Sequence, residues 1–244
     1  MRVLAISNSF GVDANRYLHQ IAKADGVNLQ IVTLYIGGCS LEQHHRNMLA
    51  DARAYDLHFN GQPTGFSVSI KEALLSQPWD VVTLQQASYF SPKPDTYEPY
   101  AKNLYDYVKM CAPKAKILIH QTWAYEDGSE KLHNLGYETA AAMFADVEKA
   151  YQKCHEDLGT DGIIPSGKLF MKLLENGIPS VQRDTFHASL GLGRYALGLL
   201  WYRMLTGRSV MDNTFDDFFV PVTEEEIRIA KNCAEAFDPI FAEK

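Results

Sequence analysis

Cysteine is scarce and scattered in this chain. The 244 residues include four cysteines, Cys39, Cys111, Cys154 and Cys233. None of them stands in a C-x-x-C pair, so their spacing indicates neither a zinc site nor a dense disulfide framework. We therefore expect isolated thiols.

A dense cluster of basic residues and a long apolar run are also missing. The 30 acidic residues outnumber the 23 basic ones, for a formal net charge of −7. Without a Lys/Arg cluster the chain is not expected to bind nucleic acid, and a neutral or modestly charged ligand is favoured. No apolar run approaches the ~20 residues of a membrane helix. The stretch "MRVLAIS" leads directly into a predicted strand without a signal-type segment, so the sequence as written is expected to be cytoplasmic. A secreted or periplasmic protein whose leader had been removed would look the same, and no feature indicates the oligomeric state.

Short apolar runs alternate with amphipathic segments. Four runs are predicted to be strands: "RVLAIS" (2–7), "LQIVTLYI" (29–36), "DVVTLQ" (80–85) and "KILIHQ" (116–121). Because they are apolar at nearly every position, they suit a parallel sheet covered on both faces. The segments between and after them predict helices at 14–24, 40–55, 97–112 and 134–154. This order predicts an α/β fold with right-handed crossovers, in one domain over residues 1–244.

Other segments depart from this alternation. The stretch "LHFNGQPTGFSVSI" (57–70) has an Asn60-Gly61 turn and predicts a hairpin at the edge of the sheet, with regular pairing limited by Pro63. The loop at 87–100, rich in proline and aromatic residues, is predicted to cover the carboxyl edge of the sheet, where ligands bind in open α/β folds. Helices are predicted at 190–207 and 222–237, the second beginning with a capping box.

Ser9 follows the first predicted strand and has two interpretations. Ser9 or its neighbour Asn8 can cap the next helix. Alternatively, Ser9 is a nucleophile, which requires a base and a third group that orients the base. The segment "RDTFHAS" offers both: Asp184 stands three residues before His187, so its carboxylate can bond one imidazole nitrogen and leave the other free to act as a base.

Further polar and aromatic residues are predicted at the same edge of the sheet. Two glycines end the second strand, and Gly38 can bring a backbone N–H close to a substrate, although a tight turn explains them nearly as well. The third strand ends in Gln85 and Gln86, which point to opposite faces. His120 ends the fourth strand and is expected either to line a pocket or to pack in the core. The aromatic residues Tyr89 and Trp123 offer flat faces to a ligand.

In their order along the chain, these blocks resemble the SGNH, or GDSL-like, hydrolase superfamily. That family has Gly-Asp-Ser after the first strand, Gly after the second, Gly-x-Asn-Asp after the third and Asp-x-x-His near the C-terminus. Here "SNS" (7–9), "GGCS" (37–40) and "DTFH" (184–187) match three of the blocks. The third block departs from the pattern, with "LQQAS" (84–88) in place of the asparagine. The chain as a whole resembles an uncharacterised branch of the superfamily.

The resemblance implies a three-layer α/β/α sandwich with a parallel sheet of about five strands. It also implies a Ser9, His187 and Asp184 triad, with an oxyanion hole formed by the N–H groups of Ser9 and Gly38. A glutamine amide can replace the missing asparagine, so we assign that role to Gln86, with Gln85 as the alternative. Expected substrate contacts come from Gln85, His120, Trp123 and Tyr89.

These assignments predict a serine esterase that acts on a small acyl ester, acetyl in the first instance, with a carbohydrate as one candidate alcohol. No metal or organic cofactor is expected. The alternative is an inactive protein on the same scaffold that binds carbohydrate through its aromatic residues. A weaker alternative is metal-dependent hydrolysis through Asp184, His187 and His120.

Overall fold

A single mixed sheet forms the centre of the fold. The computed structural model describes residues 1–242. The strands are β1 (Arg2–Ser7), β2 (Gln30–Tyr35), β3 (Tyr55–Phe59), β4 (Gln62–Val68), β5 (Val81–Leu84), β6 (Lys116–Gln121) and β7 (Gly162–Pro165). Their order in the sheet is β4-β3-β2-β1-β5-β6-β7.

Helices flank this sheet. They are α1 (Ser9–Asn15), α2 (Leu18–Ala24), α3 (Leu41–Leu49), α4 (Ile70–Leu75), α5 (Tyr100–Cys111), α6 (Glu130–Asn134), α7 (Ala140–Leu158), α8 (Ser166–Glu175), α9 (Leu192–Thr206) and α10 (Glu224–Glu235). Helices α1, α2, α8 and α10 pack around α9, whereas α3, α4 and α7 pack against α5. Within residues 1–242, every helix is too short or too polar to cross a membrane.

The parallel part of the sheet has five strands, the number that the family resemblance implies, and the predicted fold class is confirmed. Strands β2, β1, β5, β6 and β7 pair in parallel. The central strand β1 is buried from Val3 to Ser7, which explains its almost continuous apolar sequence. Strand β7 comes from "GIIP", which sequence analysis left unassigned. Because the strands are parallel, their carboxyl ends meet at one edge of the sheet.

The predicted hairpin adds two antiparallel strands beyond β2. Strand β3 pairs with β2 and β4 pairs with β3, with Pro63 of β4 opposite His58. Asn60 and Gly61 both have positive φ angles, 50° and 79°, as a two-residue type I′ turn requires. A Cβ at Gly61 would lie 2.3 Å from the Arg16 carbonyl oxygen, so only glycine fits there. The hairpin thus lies at the edge of the sheet, as predicted.

Three helices differ from their predicted positions. The helix expected at 40–55 ends at Leu49, and Tyr55 already belongs to β3. The other two differ because polar residues cap them elsewhere. The helix expected from residue 14 begins at Ser9, where Asn8 is its N-cap, and a break separates α1 from α2. The helix expected at 134–154 is displaced to α7, capped by Thr139, while α6 is a separate turn before it. The predicted capping box of Thr223 and Glu226 is present at the start of α10.

Candidate active site

The turn between β1 and α1 presents Ser9 at the carboxyl edge of the sheet. The Asn8 side-chain oxygen accepts a hydrogen bond from the Phe10 N–H at 3.0 Å, so Asn8 caps the helix. The Ser9 hydroxyl is consequently not needed as a cap. Its Oγ lies 2.9 Å from Nε2 of His187, a residue 178 positions away in the chain.

A short loop before α9 holds the imidazole and its partner carboxylate. Asp184 Oδ2 lies 2.8 Å from His187 Nδ1, and Asp184 Oδ1 accepts the His187 backbone N–H at 2.8 Å. Thr185 adopts a φ of 70°, a left-handed conformation that is unusual for a β-branched residue. Its carbonyl accepts the Glu126 N–H at 2.8 Å, which anchors the loop. The turn therefore fixes both the position and the tilt of the imidazole.

The charge state of Asp184 suits this arrangement. Burial raises the pKa of this carboxyl, but hydrogen bonds from the side chain and backbone of His187 outweigh burial, and the net pKa lies below its usual value. Asp184 is therefore ionised where an imidazole titrates, and it accepts the proton of His187 Nδ1. The His187 Nε2 is then left to accept the Ser9 hydroxyl proton.

Ser9 and His187 open onto a cavity of about 500 Å³. Its walls are mostly small or aromatic, and they are formed by Asn8, Ser9, Phe10, Tyr35, Gly37, Gly38, Ser88, Tyr89, Tyr125, Lys131, Asn134, Leu135, Phe186 and His187. Tyr89, one of the expected substrate contacts, lies on this wall and donates its hydroxyl to the Gly38 carbonyl at 3.1 Å. The cavity can admit a small ester at the serine.

Two backbone N–H groups at this cavity suit the expected oxyanion hole. Ser9 occupies the first position of α1, where a helix offers no internal acceptor for the N–H. Gly38 lines the cavity in a turn with a φ of 62°, a conformation that glycine adopts readily. Asn8 joins the two turns, because its Nδ2 donates to the Cys39 carbonyl at 3.0 Å. The oxyanion role of these groups stays a prediction.

The structure does not bring Gln86 to the cavity. Its Nε2 donates to the carbonyl and hydroxyl oxygens of Thr96 at 3.0 and 3.2 Å, and its Oε1 accepts the Leu41 N–H at 2.9 Å. The assignment of Gln86 to the oxyanion hole is therefore corrected. Its alternative, Gln85, is also turned away, since Gln85 Nε2 donates to Asn8 Oδ1 at 2.5 Å.

A buried chain of neutral hydrogen bonds lies beneath the serine. His120 Nε2 lies 3.0 Å from the Ser166 hydroxyl, and His120 Nδ1 lies 2.8 Å from Gln85 Oε1. Gln85 continues the chain to Asn8. Burial lowers the pKa of His120 to about 3, so this imidazole is uncharged near neutral pH. The chain supports the turn that carries Ser9.

Three of the residues expected to contact the substrate do not reach the cavity. Gln85, His120 and Trp123 are almost wholly buried and lie outside the cavity wall. Trp123 stacks on Phe10 at 4.1 Å, and its indole N–H donates to the Phe186 carbonyl at 2.7 Å. Direct substrate contact by these three residues is therefore corrected to support of the residues that face the cavity. The weaker alternative, a metal site of Asp184, His187 and His120, is not formed among the described residues, because both ring nitrogens of His120 have hydrogen-bond partners in the protein.

Sequence analysis missed a buried carboxylate that joins the two halves of the site. Asp13 lies one helical turn after Ser9 and is 1% exposed. It accepts Arg183 Nη1 at 3.1 Å, Arg194 Nε at 2.8 Å and the Ala188 N–H at 3.1 Å. These bonds tie α1 to the segment that contains Asp184 and His187. Two features of the sequence could have indicated this carboxylate: Asp13 stands one helical turn after Ser9, and Arg183 stands next to Asp184.

The sheet order and the Ser-His-Asp arrangement at its carboxyl edge define an SGNH hydrolase fold. A protein from Slackia heliotrinireducens that is classed as an SGNH hydrolase shares 21% identity and a TM-score of 0.61, over 84% of this chain and 98% of its own. A GDSL-like lipase-class protein from Parabacteroides merdae shares 16% identity and a TM-score of 0.55, over 82% and 93%. These likenesses show the fold.

The family is shown more directly. Residues 2–237 match the family described as a domain of unknown function, DUF4886, and the chain belongs to this family. A crystal structure of a DUF4886 protein from Bacteroides uniformis shares 31% identity and a TM-score of 0.88, over 96% of this chain and 93% of that one. No curated protein matches the chain.

Proposed function

We propose that the protein is a serine hydrolase that cleaves a small acyl ester. The observation that carries this proposal is the continuous chain from Ser9 Oγ through His187 to Asp184, with contacts of 2.9 and 2.8 Å, open to a cavity. A serine hydroxyl reacts as a nucleophile only beside a base, and the base requires an orienting partner. All three groups meet at this point.

The reaction proceeds in two steps. The Ser9 Oγ attacks the ester carbonyl while its proton passes to His187 Nε2, and Asp184 stabilises the imidazolium. The N–H groups of Ser9 and Gly38 stabilise the oxyanion. The bond to the alcohol oxygen then breaks, and that oxygen takes the proton from His187. In the second step His187 accepts a proton from water, the hydroxide attacks the acyl carbonyl, and Ser9 leaves with that proton. This sequence uses no metal or cofactor.

The walls of the cavity favour an acetyl ester of a carbohydrate as the substrate. Five phenylalanine and tyrosine side chains border the cavity: Phe10, Tyr35, Tyr89, Tyr125 and Phe186. Flat aromatic faces suit the apolar faces of sugar rings, while the tyrosine hydroxyls can bond sugar hydroxyls. The alternative is a protein that binds such a ligand on the same scaffold without cleaving it.

A fluorophosphonate probe separates these functions. Because such a probe phosphonylates an activated serine, we expect covalent labelling of the wild-type protein and none of Ser9→Ala, measured by intact-mass spectrometry. Ser88→Ala is a matched control, since Ser88 also lines the cavity but its hydroxyl lies 2.9 Å from the Tyr125 hydroxyl. That variant should stay labelled. An unlabelled wild-type protein that also fails to hydrolyse 4-nitrophenyl acetate would favour the binding protein.

The hydrolysis rate should fall as the pH is lowered from about 8 to about 5, because a general base can take the Ser9 proton only while it is itself unprotonated. Asp184 cannot cause this decline, since its lowered pKa keeps it ionised in that range. His120 stays neutral there, because burial lowers its pKa to about 3. The measurement is kcat/KM for 4-nitrophenyl acetate against pH. A flat profile from pH 5 to 8 would contradict the role of His187.

Folding must be followed in the same experiment. Burial lowers the pKa of both His44 and His120 to about 3, whereas in the unfolded chain a histidine titrates near ~6.5. The unfolded chain therefore binds more protons below that pH, and the free energy of unfolding falls by up to about 1.4 kcal/mol per pH unit for each histidine. Circular dichroism at each pH, with recovery of activity on return to pH 8, separates loss of the general base from unfolding.

A further inference from the structure

Lys131 places a positive charge on a cavity that otherwise has neutral walls. The titratable residues of the wall are three tyrosines, His187 and Lys131, and none is a carboxylic acid. Among residues 1–242, no carboxylate lies within 4.0 Å of the Lys131 ammonium. The chain as a whole has a net charge of −7. Among the wall residues that the structure describes, Lys131 is thus the one with a formal charge when His187 is neutral, in a chain whose net charge is negative.

The ammonium lies close to the reacting groups. Lys131 Nζ is 4.3 Å from the centre of the Phe186 ring, which is 3.9 Å from the centre of the His187 ring. These two distances place the charge within about 8 Å of the imidazole. That separation is close to the Debye length of about 8 Å at physiological salt. Because the separation is at most about 8 Å, one small ligand can contact both Lys131 and the reacting groups.

The position of Lys131 also indicates which half of the ester it contacts. His187 gives its proton to the leaving alcohol oxygen, so groups packed beside His187 border the alcohol. Phe186, between Lys131 and His187, is such a group. Gly38 belongs to the turn that Asn8 binds through the Cys39 carbonyl, and its N–H is the group proposed to stabilise the oxyanion. Lys131 consequently lies on the alcohol side.

We propose that the substrate is an ester whose alcohol part carries a carboxylate, and that Lys131 selects it by pairing with this group. The proposal rests on the proposed esterase function. The acidic residues close to Lys131 in sequence do not form an ion pair with it: Asp127 accepts the Ala140 N–H and Glu126 accepts the Ser180 hydroxyl, while Asp184 is bound to His187. A carboxylate is repelled by the acidic surface and attracted at this one wall, so the charge of Lys131 contributes to specificity.

Two acetyl esters that differ in one charge test this preference. 3-Acetoxybenzoate carries a carboxylate on its alcohol part, and its methyl ester is neutral. After correction for the rates of hydroxide-catalysed hydrolysis, we expect wild-type kcat/KM to favour the anion by about 2-fold to 5-fold, as for an ion pair with an exposed lysine. The preference should shrink as salt is raised from 0.02 to 0.5 M (roughly 20 Å to 4 Å of screening length).

Variants assign the preference to the charge at this position. Lys131→Met keeps an apolar stem over Phe186 and should reduce the ratio of the two kcat/KM values to about one, whereas Lys131→Arg should restore it. Lys93→Met is the matched control, because Lys93 also lies over an aromatic ring, 5.9 Å from the centre of Phe90, but is not part of the cavity wall. That variant should keep the wild-type ratio.

The outcomes separate this inference from the proposed function. Ser9-dependent hydrolysis of the neutral ester without preference for the anion overturns the role of Lys131 and leaves the esterase in place. A preference for phenyl hemisuccinate over phenyl acetate, in which the carboxylate is on the acyl side, overturns the assignment to the alcohol. No Ser9-dependent hydrolysis of either acetoxybenzoate ester, nor of 4-nitrophenyl acetate, overturns the proposed function itself.

Discussion

Replacement of Ser9 by alanine is expected to lower kcat/KM for 4-nitrophenyl acetate by at least about 10³-fold, and His187→Ala by a similar factor. Each change removes one end of the 2.9 Å contact between hydroxyl and imidazole, and neither group promotes acyl transfer efficiently without the other. The double variant should therefore be no more than a few-fold slower than the worse single variant. The residual activity expected in all three variants comes from oxyanion stabilisation and substrate binding.

A histidine outside the site serves as the control. His155 lies near the end of α7, where its Nδ1 is 2.6 Å from the Thr160 hydroxyl, and His155→Ala should stay within about two-fold of the wild-type rate. Two results would contradict the proposed triad. One is a Ser9→Ala protein that retains more than about a tenth of the wild-type kcat/KM. The other is a double variant in which the losses of the two single variants multiply.

Replacement of Asp13 by alanine is expected to lower the free energy of unfolding by about 3–5 kcal/mol. The carboxylate is 1% exposed, and its loss leaves two guanidinium groups without a counter-charge, those of Arg183 and Arg194, which are 30% and 13% exposed. For a chain of this length such a loss corresponds to a decrease in Tm of roughly 6–20 °C. Urea unfolding followed by circular dichroism measures the free energy.

An exposed pair provides the comparison for Asp13. Asp106 forms an i,i+4 bridge with Lys102 and is 55% exposed, so Asp106→Ala should cost no more than about 0.5 kcal/mol. Asp13→Asn keeps the shape but not the charge and should lie between the two. Below its Tm this variant should show a lower kcat with little change in KM, since Asp13 orients the segment that holds His187. Equal stability of the Asp13 and Asp106 alanine variants would contradict the buried network.

The positions of the triad residues could be predicted because each depends on local sequence. A parallel strand buried on both faces places its next residues at the carboxyl edge, which locates Ser9. An Asp-x-x-His turn joins its two side chains within four residues, whatever the rest of the fold does. The fold class followed for a similar reason, since nearly continuous apolar runs separated by amphipathic helices are typical of parallel sheets.

The residues that were placed wrongly depend on contacts between distant segments. Strand alternation shows that Gln85 and Gln86 point to opposite faces, but not that Asn8 and Thr96 bind their amides. Trp123 and His120 are buried because Phe10 and Ser166 pack over them. The place of Lys131 at the cavity was not predicted, because the helix was expected to begin only at residue 134, after Lys131. Its place beside Phe186 follows from tertiary packing alone.

The two outermost strands of the sheet, β4 and β7, each contain a proline, Pro63 and Pro165. Proline lacks the amide hydrogen that a further strand would need, so each border offers an interrupted row of donors. Recruitment of a foreign strand is therefore disfavoured at both ends of the sheet. We therefore expect little edge-to-edge pairing between copies of the chain, independently of its chemistry.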